Sequence, residues 1–303
     1  MGSGRKMHNI VVAGGDTRDA WLCRMLLGRG YDVRTWGIAA KGVEPFRMSQ
    51  APPNVLIGPM TGIADDGRMQ TAEGEIMLTE ELLSRMGAGS LLAAGLIGDR
   101  IVTRCRAIGI RTIQYRLLST FMWLNAVPTA EGAIEAAIGR SGRTLFARPI
   151  GVIGFGRVGS VLTDRLSRYG AHAVVFERSA EKQAMARAFG HPAFPLDVNP
   201  RPPLDGVFNT APAPILDASW FGEDAPGWVI DLASIPGGLA PELRNTALVR
   251  QRYQQILSIP GKVAPVRAAE IVWETLSLAL EEEWEDGKTV RSSYWGGNGG
   301  LPL

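Results

Sequence analysis

The sequence predicts an α/β fold of two units, each built on a mostly parallel sheet, with a cleft between them. Three observations predict it. Short apolar runs alternate with helix-period segments along most of the chain. A glycine turn, Gly154-Phe155-Gly156-Arg157-Val158-Gly159, joins one apolar run to one such segment in the order strand, turn, helix. The alternation also starts twice, on either side of an Ala-rich helical stretch near residue 135, and 303 residues suffice for two domains.

In the first half, His8 to Ala13 reads as a strand running into Gly14-Gly15-Asp16. Asp16 or Thr17 caps the next helix, whose apolar stripe holds Trp21, Leu22, Met25 and Leu26, and Gly30 ends it. Tyr31–Trp36, Asn54–Pro59, Ser90–Ala94 and Gly109–Ile113 read as further strands. Residues 60–76, rich in Gly, Asp, Thr and Met, read as a long loop. Residues 115–128 read as a passage between the units, with Pro128 preceding a helix over Ala130–Arg140.

In the second half, Pro149–Ile153 leads into the glycine turn. A helix to Tyr169, a strand to Phe176 and a helix to Phe189 follow. Ala193–Leu196, Asp205–Asn209, Trp228–Asp231 and a piece near Ile256-Leu257 are strands, and Asn199–Pro203 is a loop. A helix over Val263–Glu285 closes the fold, and the Gly-rich end reads as a flexible tail whose Tyr294-Trp295 could meet a partner. The expected boundaries are 1–127 for an N-terminal α/β domain, 128–143 for an inter-domain helix, 144–285 for a dinucleotide-binding Rossmann domain and 286–303 for the tail.

The totals exclude several classes. The chain is 46% hydrophobic and 20% charged with a net charge of +2, so it carries no electrostatic footprint for nucleic acid. No apolar run has the length of a membrane span, and the start lacks the apolar core of a signal peptide, so an intracellular, cytoplasmic protein is expected. Cys23 and Cys105 read as buried reduced thiols, and no metal spacing exists.

The turn Gly154–Gly159 reads as a dinucleotide cradle. Its first glycine allows the tight turn, its second admits a pyrophosphate to the backbone, and its third packs helix on strand. The helix start then offers N–H groups to phosphate. Eighteen residues beyond Gly159 come Glu177-Arg178-Ser179. Glu177 suits a ribose 2′-OH and hence NAD, whereas Arg178 and Ser179 suit a 2′-phosphate and hence NADP. The balance leans to NADP, with NAD the alternative. Asn209-Thr210-Ala211-Pro212 and Asp231-Leu232-Ala233-Ser234 follow buried strands and are expected to line the nicotinamide side, with Ser234 donating to a carboxamide or carboxylate. Asp231 reads as an organiser of its loop more than as a base.

Together with Gly14–Arg18, Pro128-Thr129-Ala130-Glu131-Gly132, Pro236-Gly237-Gly238 and Pro260-Gly261-Lys262-Val263-Ala264-Pro265, these motifs resemble the A subunit of dipicolinate synthase over roughly residues 8–283. The resemblance implies a protein that works with a flavoprotein-like B subunit in the mother-cell cytoplasm of a sporulating bacterium. The pair would oxidise a dihydrodipicolinate-type intermediate of lysine biosynthesis to dipicolinate, with hydride transfer to a nicotinamide cofactor. The substrate is a small dicarboxylate, so positive groups are needed, and Lys262 and Arg18 are the candidates. Thr129 is expected beside it. Glu131, heading the cleft helix, is a candidate proton acceptor, and Ser234 and Lys262 complete the catalytic set. A homo-oligomer is left open. The sequence also leaves open another two-domain NAD(P) dehydrogenase, of the 2-hydroxyacid or alanine type, and a non-catalytic nucleotide-binding regulator. The former usually place a His near the nicotinamide, and His8, His172 and His191 are not on the later strand loops.

Overall fold

The computed structural model describes residues 9–222 and 225–281. Its first sheet takes β1 (Asn9–Ala13), β2 (Asp32–Trp36), β3 (Glu44–Pro45) and β4 (Val55–Ile57), with α1 (Thr17–Gly28) between β1 and β2. A hairpin, β5 (Arg68–Thr71) and β6 (Gly74–Met77), precedes α2 (Glu80–Met86), β7 (Leu91–Ala94), α3 (Asp99–Ala107) and β8 (Arg111–Gln114). The long helix α4 (Ser119–Ser141) leads to the second sheet. There β9 (Pro149–Ile153), α5 (Arg157–Arg168), β10 (His172–Phe176), α6 (Ala180–Ala188), β11 (Ala193–Phe194), β12 (Gly206–Asn209) and β13 (Trp228–Asp231) follow in turn. The chain ends with α7 (Ala247–Arg252), β14 (Tyr253–Gln255), α8 (Ile259–Val263) and α9 (Pro265–Glu281).

Both six-stranded sheets are parallel throughout, and both have the same winding. The orders β3-β2-β1-β4-β7-β8 and β11-β10-β9-β12-β13-β14 are each 3-2-1-4-5-6 in sheet strands. The order reverses beside β1/β4 in one and β9/β12 in the other. At those points the loops leave in opposite directions and open a crevice at the carboxyl edge. The central strands are apolar without alternation, as burial on both faces requires: Ile10, Val11, Val12 and Ala13 are fully buried, as are Val152 and Ile153.

Four expectations change. Residues 60–76 contain the β5–β6 hairpin, which Asp66-Gly67 and Glu73-Gly74 punctuate and buried Met69 anchors. The passage at 115–128 is mostly helix: α4 begins at Ser119 and runs through Pro128. It does so because its length serves two cores, with Phe121 in the first and Ala130, Ala133 and Ala137 in the second. The strand expected near Ile256-Leu257 lies at Tyr253–Gln255. The closing helix is two helices, since Pro265 has no N–H to continue α8 and restricts Ala264 before it. Moreover, α9 packs Ala269, Ile271, Val272 and Leu276 into the first core, not the second, and Trp273 lies edge-on to Tyr31. The expected tail, 286–303, lies outside the described residues.

Candidate active site at the facing sheet edges

The glycine turn is shaped by contacts that only glycine permits. Gly154 has φ 89°, and a Cβ there would lie 2.7 Å from Thr210 Oγ1. A Cβ on Gly159 would fall on the Gly154 carbonyl oxygen. Gly156 differs: a Cβ there would meet nothing within 4 Å, so the space above it is open. Gly156 is also the N-cap of α5 and has no side chain to cap it, which leaves the first N–H groups of Arg157, Val158 and Gly159 directed at that space. The residues present therefore fit a dinucleotide pyrophosphate.

Glu177 directly follows β10, beneath this turn. Its Oε2 accepts from Phe155 N at 2.8 Å and its Oε1 from Ser179 N at 3.0 Å. Burial alone would raise its carboxyl, but those two N–H groups and the Lys182 charge outweigh it, and the group ends below the usual carboxylate range. It is thus a buried anion (9% exposed) bracing the turn. Arg178 is exposed, and the Ser179 hydroxyl accepts from Lys182 N at 3.4 Å as the cap of α6.

The next two strand ends are locked together. Asn209 and Asp231 are fully buried. Asn209 Nδ2 donates to Asp231 Oδ1 at 2.7 Å and to Ala211 O at 3.0 Å, while its Oδ1 accepts from Ala211 N. Asp231 accepts also from Ala233 N, Gly238 N and Tyr253 Oη. It is an organiser of its loop, with every contact internal. Thr210 Oγ1 donates to Ile153 O at 2.9 Å and so ties β12 to the glycine turn. Leu232 N donates to Asn209 O, and Ser234 stands exposed on the loop beyond β13.

The carboxyl edges of the two sheets face one another. α8 begins just after β14, and its Gly261 lies against Asp16 just after β1: a Cβ on Gly261 would sit 2.5 Å from Asp16 Oδ2. On the other flank, Arg157 Nη2 donates to Ser119 Oγ at the start of α4. Arg18 lies at this junction, 2% exposed, with Nε and Nη2 on Asp16 at 3.0 and 2.9 Å. Lys262, beside Gly261, is exposed. Gly261→Ala is expected to force α8 off Asp16 and cost about 1–3 kcal/mol. Urea denaturation measures this, and an unchanged midpoint would show that α8 moves freely.

Two expected site residues have a different local setting. Thr129 and Glu131 do not head a helix but lie in the middle of α4. The Thr129 hydroxyl donates to Asn125 O within the helix at 2.7 Å. Glu131 is exposed and pairs with Arg165 of α5 at 3.3 Å, and the next residue, Gly132, lies against Ile259 and Val263 of α8. Both were expected at a helix start because Pro128 reads as one. Two residues the sequence reading missed, Asp19 and Tyr115, lie buried at the first sheet's carboxyl edge. The spacing of Asp16 and Asp19, a capping box, was the visible sign of one. A cavity of about 660 Å³ among Arg140, Arg143, Arg148, Asp205 and Trp228 opens at the amino ends of β9, β12 and β13, opposite the glycine turn, and so belongs to no part of this site. Among the described residues, no cluster of His, Cys, Asp and Glu suits a metal ion, and no helix is long and apolar enough to cross a membrane.

Two doubly wound units whose carboxyl edges meet, one carrying a glycine turn, form a two-domain dehydrogenase-type fold. Residues 9–116 match the family described as the N-terminal domain of the dipicolinate synthase A subunit. The fold extends the likeness over the rest. The crystal structure of the dipicolinate synthase A subunit from Bacillus halodurans is 24% identical, with a TM-score of 0.75 over 89% of this chain and 97% of that one. The corresponding crystal structure from Bacillus subtilis is 23% identical, with a TM-score of 0.74 over 92% and 97%. A transhydrogenase from Sinorhizobium meliloti shares the fold more distantly, at 14% identity and a TM-score of 0.57 over 90% and 94%. No curated protein sequence matches the chain.

Proposed function

We propose that this chain is the nucleotide-binding A subunit of a dipicolinate synthase, acting with a flavoprotein-like B subunit in the mother-cell cytoplasm of a sporulating bacterium. The observation that carries the reading is the match of the first unit to that family's N-terminal domain. The reaction is oxidation of a dihydrodipicolinate-type dicarboxylate to dipicolinate, driven by aromatisation of the ring. A bound nicotinamide dinucleotide supplies the hydride acceptor. Gly156 and the N–H groups of Arg157–Gly159 hold its pyrophosphate. Thr210, Ala211, Leu232, Ala233 and Ser234 line its nicotinamide side, and Arg18 and Lys262 take the substrate's carboxylates from opposite walls.

NAD is proposed ahead of NADP, which reverses the order read from the sequence. An ionised Glu177 just after β10 would repel a 2′-phosphate brought near it, and the Ser179 hydroxyl already caps α6. Arg178 alone favours the phosphate. Glu177→Ala is therefore expected to raise the NADP-to-NAD affinity ratio by about tenfold, or ~1.4 kcal/mol, and Arg178→Ala to lower it. Calorimetric titration with both cofactors reads the ratio, and an unchanged ratio in both variants would remove both residues as readers.

The reading is tested by turnover with enzymatically generated dihydrodipicolinate and each cofactor, with and without the B subunit. Cofactor reduction that needs both subunits is expected. Nucleotide binding without turnover in the presence of the B subunit would favour the regulatory alternative.

A further inference from the structure

The crevice of the first sheet holds buried polar atoms that the nucleotide turn does not use. It lies at the carboxyl edge, where α1 starts beside the reversal of strand order at β1/β4, the position at which open α/β sheets bind ligands. Arg18, on the first turn of α1, has its Nη1 buried without a partner. Tyr115, which follows β8, is 1% exposed, and its hydroxyl is also buried without a partner. Its ring stacks on Phe121 at 5.4 Å. One helical turn beyond Phe121 comes Asn125, whose Oδ1 is a third buried atom without a partner. Native interiors leave few such atoms, and a charged donor is the least tolerable of them.

Asp19 completes the group. It is 3% exposed, and its Oδ2 accepts from Gly15 N at 2.7 Å and Asp16 N at 3.2 Å. Burial, then the Asp16 charge, push its carboxyl up to about 7, with Arg18 and the two N–H groups opposing. Its own charge acts on Tyr115 and on Cys23 one turn along α1, whose groups burial has already raised. Other charges on elements packed nearby include Lys262 on α8, Arg267 paired with Glu270 and Glu274 on α9, Arg111 on β8 and Arg116 after Tyr115, and Arg68 and Glu75 on the hairpin, held by Asp66 and Gln70. With Asp19 ionised, the triad of Asp16, Arg18 and Asp19 carries one net negative charge. With Asp19 protonated, it is neutral.

We propose that this crevice is a carboxylate site in which Arg18 Nη1 and the Tyr115 hydroxyl donate to one carboxylate of a small acid, and Asp19 takes up one proton from solvent as the acid binds. The coupling follows from charge. An anion placed on Arg18 offsets the cation that opposes protonation of Asp19, so each favours the other. The site deepens the substrate reading proposed above and rests on it only for the identity of the acid.

Calorimetry of the full chain with dipicolinate, malonate and acetate, in two buffers of different ionisation enthalpy, reads the proton directly. Uptake is expected to approach one proton at about pH 8 and to fall away at about pH 6, with affinity weakening up to ~10-fold per pH unit above neutrality. Asp19→Asn should remove both the uptake and the pH dependence. Tyr115→Phe should leave the melting temperature unchanged, because its hydroxyl has no internal partner, yet weaken binding several-fold. Arg18→Met should weaken it by roughly 100-fold. Binding without proton uptake in the parent chain, undiminished binding in Tyr115→Phe and Arg18→Met, or no binding of any of the three acids would each overturn the proposal. Binding of malonate with proton uptake, but not of dipicolinate, would uphold the site and reject the substrate reading alone.

Discussion

Gly156→Val is expected to fold as the parent chain does and to lose about 100-fold or more, ~3 kcal/mol, in affinity for either dinucleotide. Two facts separate the effects on fold and ligand. A Cβ on Gly156 meets no protein atom within 4 Å, so the isopropyl group has room in the free protein. That room is the approach path of a pyrophosphate to the N–H groups that open α5. The neighbouring glycines make the contrast. Gly159→Val drives a side chain into the Gly154 carbonyl, which is backbone and cannot swing away, so β9 and α5 must separate. This variant is expected to lose stability, with nucleotide affinity falling as a consequence. Calorimetry with NAD beside a thermal melt distinguishes them. Unchanged NAD affinity in a folded Gly156→Val chain would remove the cradle from the glycine turn.

The difference between these glycines marks what a sequence discloses. The spacing Gly154–Gly159 is local, and so is the strand before it, so the second unit's first β-turn-α was legible residue by residue. The helix α4 was legible in its Ala-rich half but not in the half before Pro128. A proline inside a helix costs about 3 kcal/mol and normally marks a start. Only the packing of α4 against two cores, which are far apart in the chain, makes it continuous. The return of α9 to the first core has the same cause, since its apolar stripe names no partner. Arg18 was singled out for its charge, and its grip on Asp16, two residues away, is local, but its burial comes with the packing of α8 on α1 from some 240 residues away. Asp19 and Tyr115 are 96 residues apart, and the Asp19 charge reaches Tyr115 only through the winding of the first sheet.

Asp231→Ala is expected to destabilise the chain by about 3–5 kcal/mol, because it strands several donors at once in a dry place. Asp231 is fully buried and accepts from Asn209 Nδ2 at 2.7 Å, Ala233 N at 2.9 Å, Gly238 N at 2.6 Å and Tyr253 Oη at 2.8 Å. Burial, then the bond to Asp231, raise the Tyr253 hydroxyl above its usual range, so it stays protonated and needs its acceptor. These donors come from β12, from the loop after β13, and from β14. Losing the carboxylate therefore loosens three neighbouring strand ends together. Gly238 cannot compensate by moving inward, since it lies directly on the Asn209 side chain. Asp231→Asn should cost less. Its oxygen keeps two N–H partners, but its NH₂ group faces Gly238 N, and only Tyr253 can turn its hydroxyl to accept. The order expected in urea denaturation is parent, then Asp231→Asn, then Asp231→Ala, with NAD affinity following because Ala211 and Ala233 are set by the same network. A loss below about 1 kcal/mol for Asp231→Ala would mean that water enters and satisfies these donors. The loops after β12 and β13 would then be adaptable walls rather than a fixed frame for the nicotinamide.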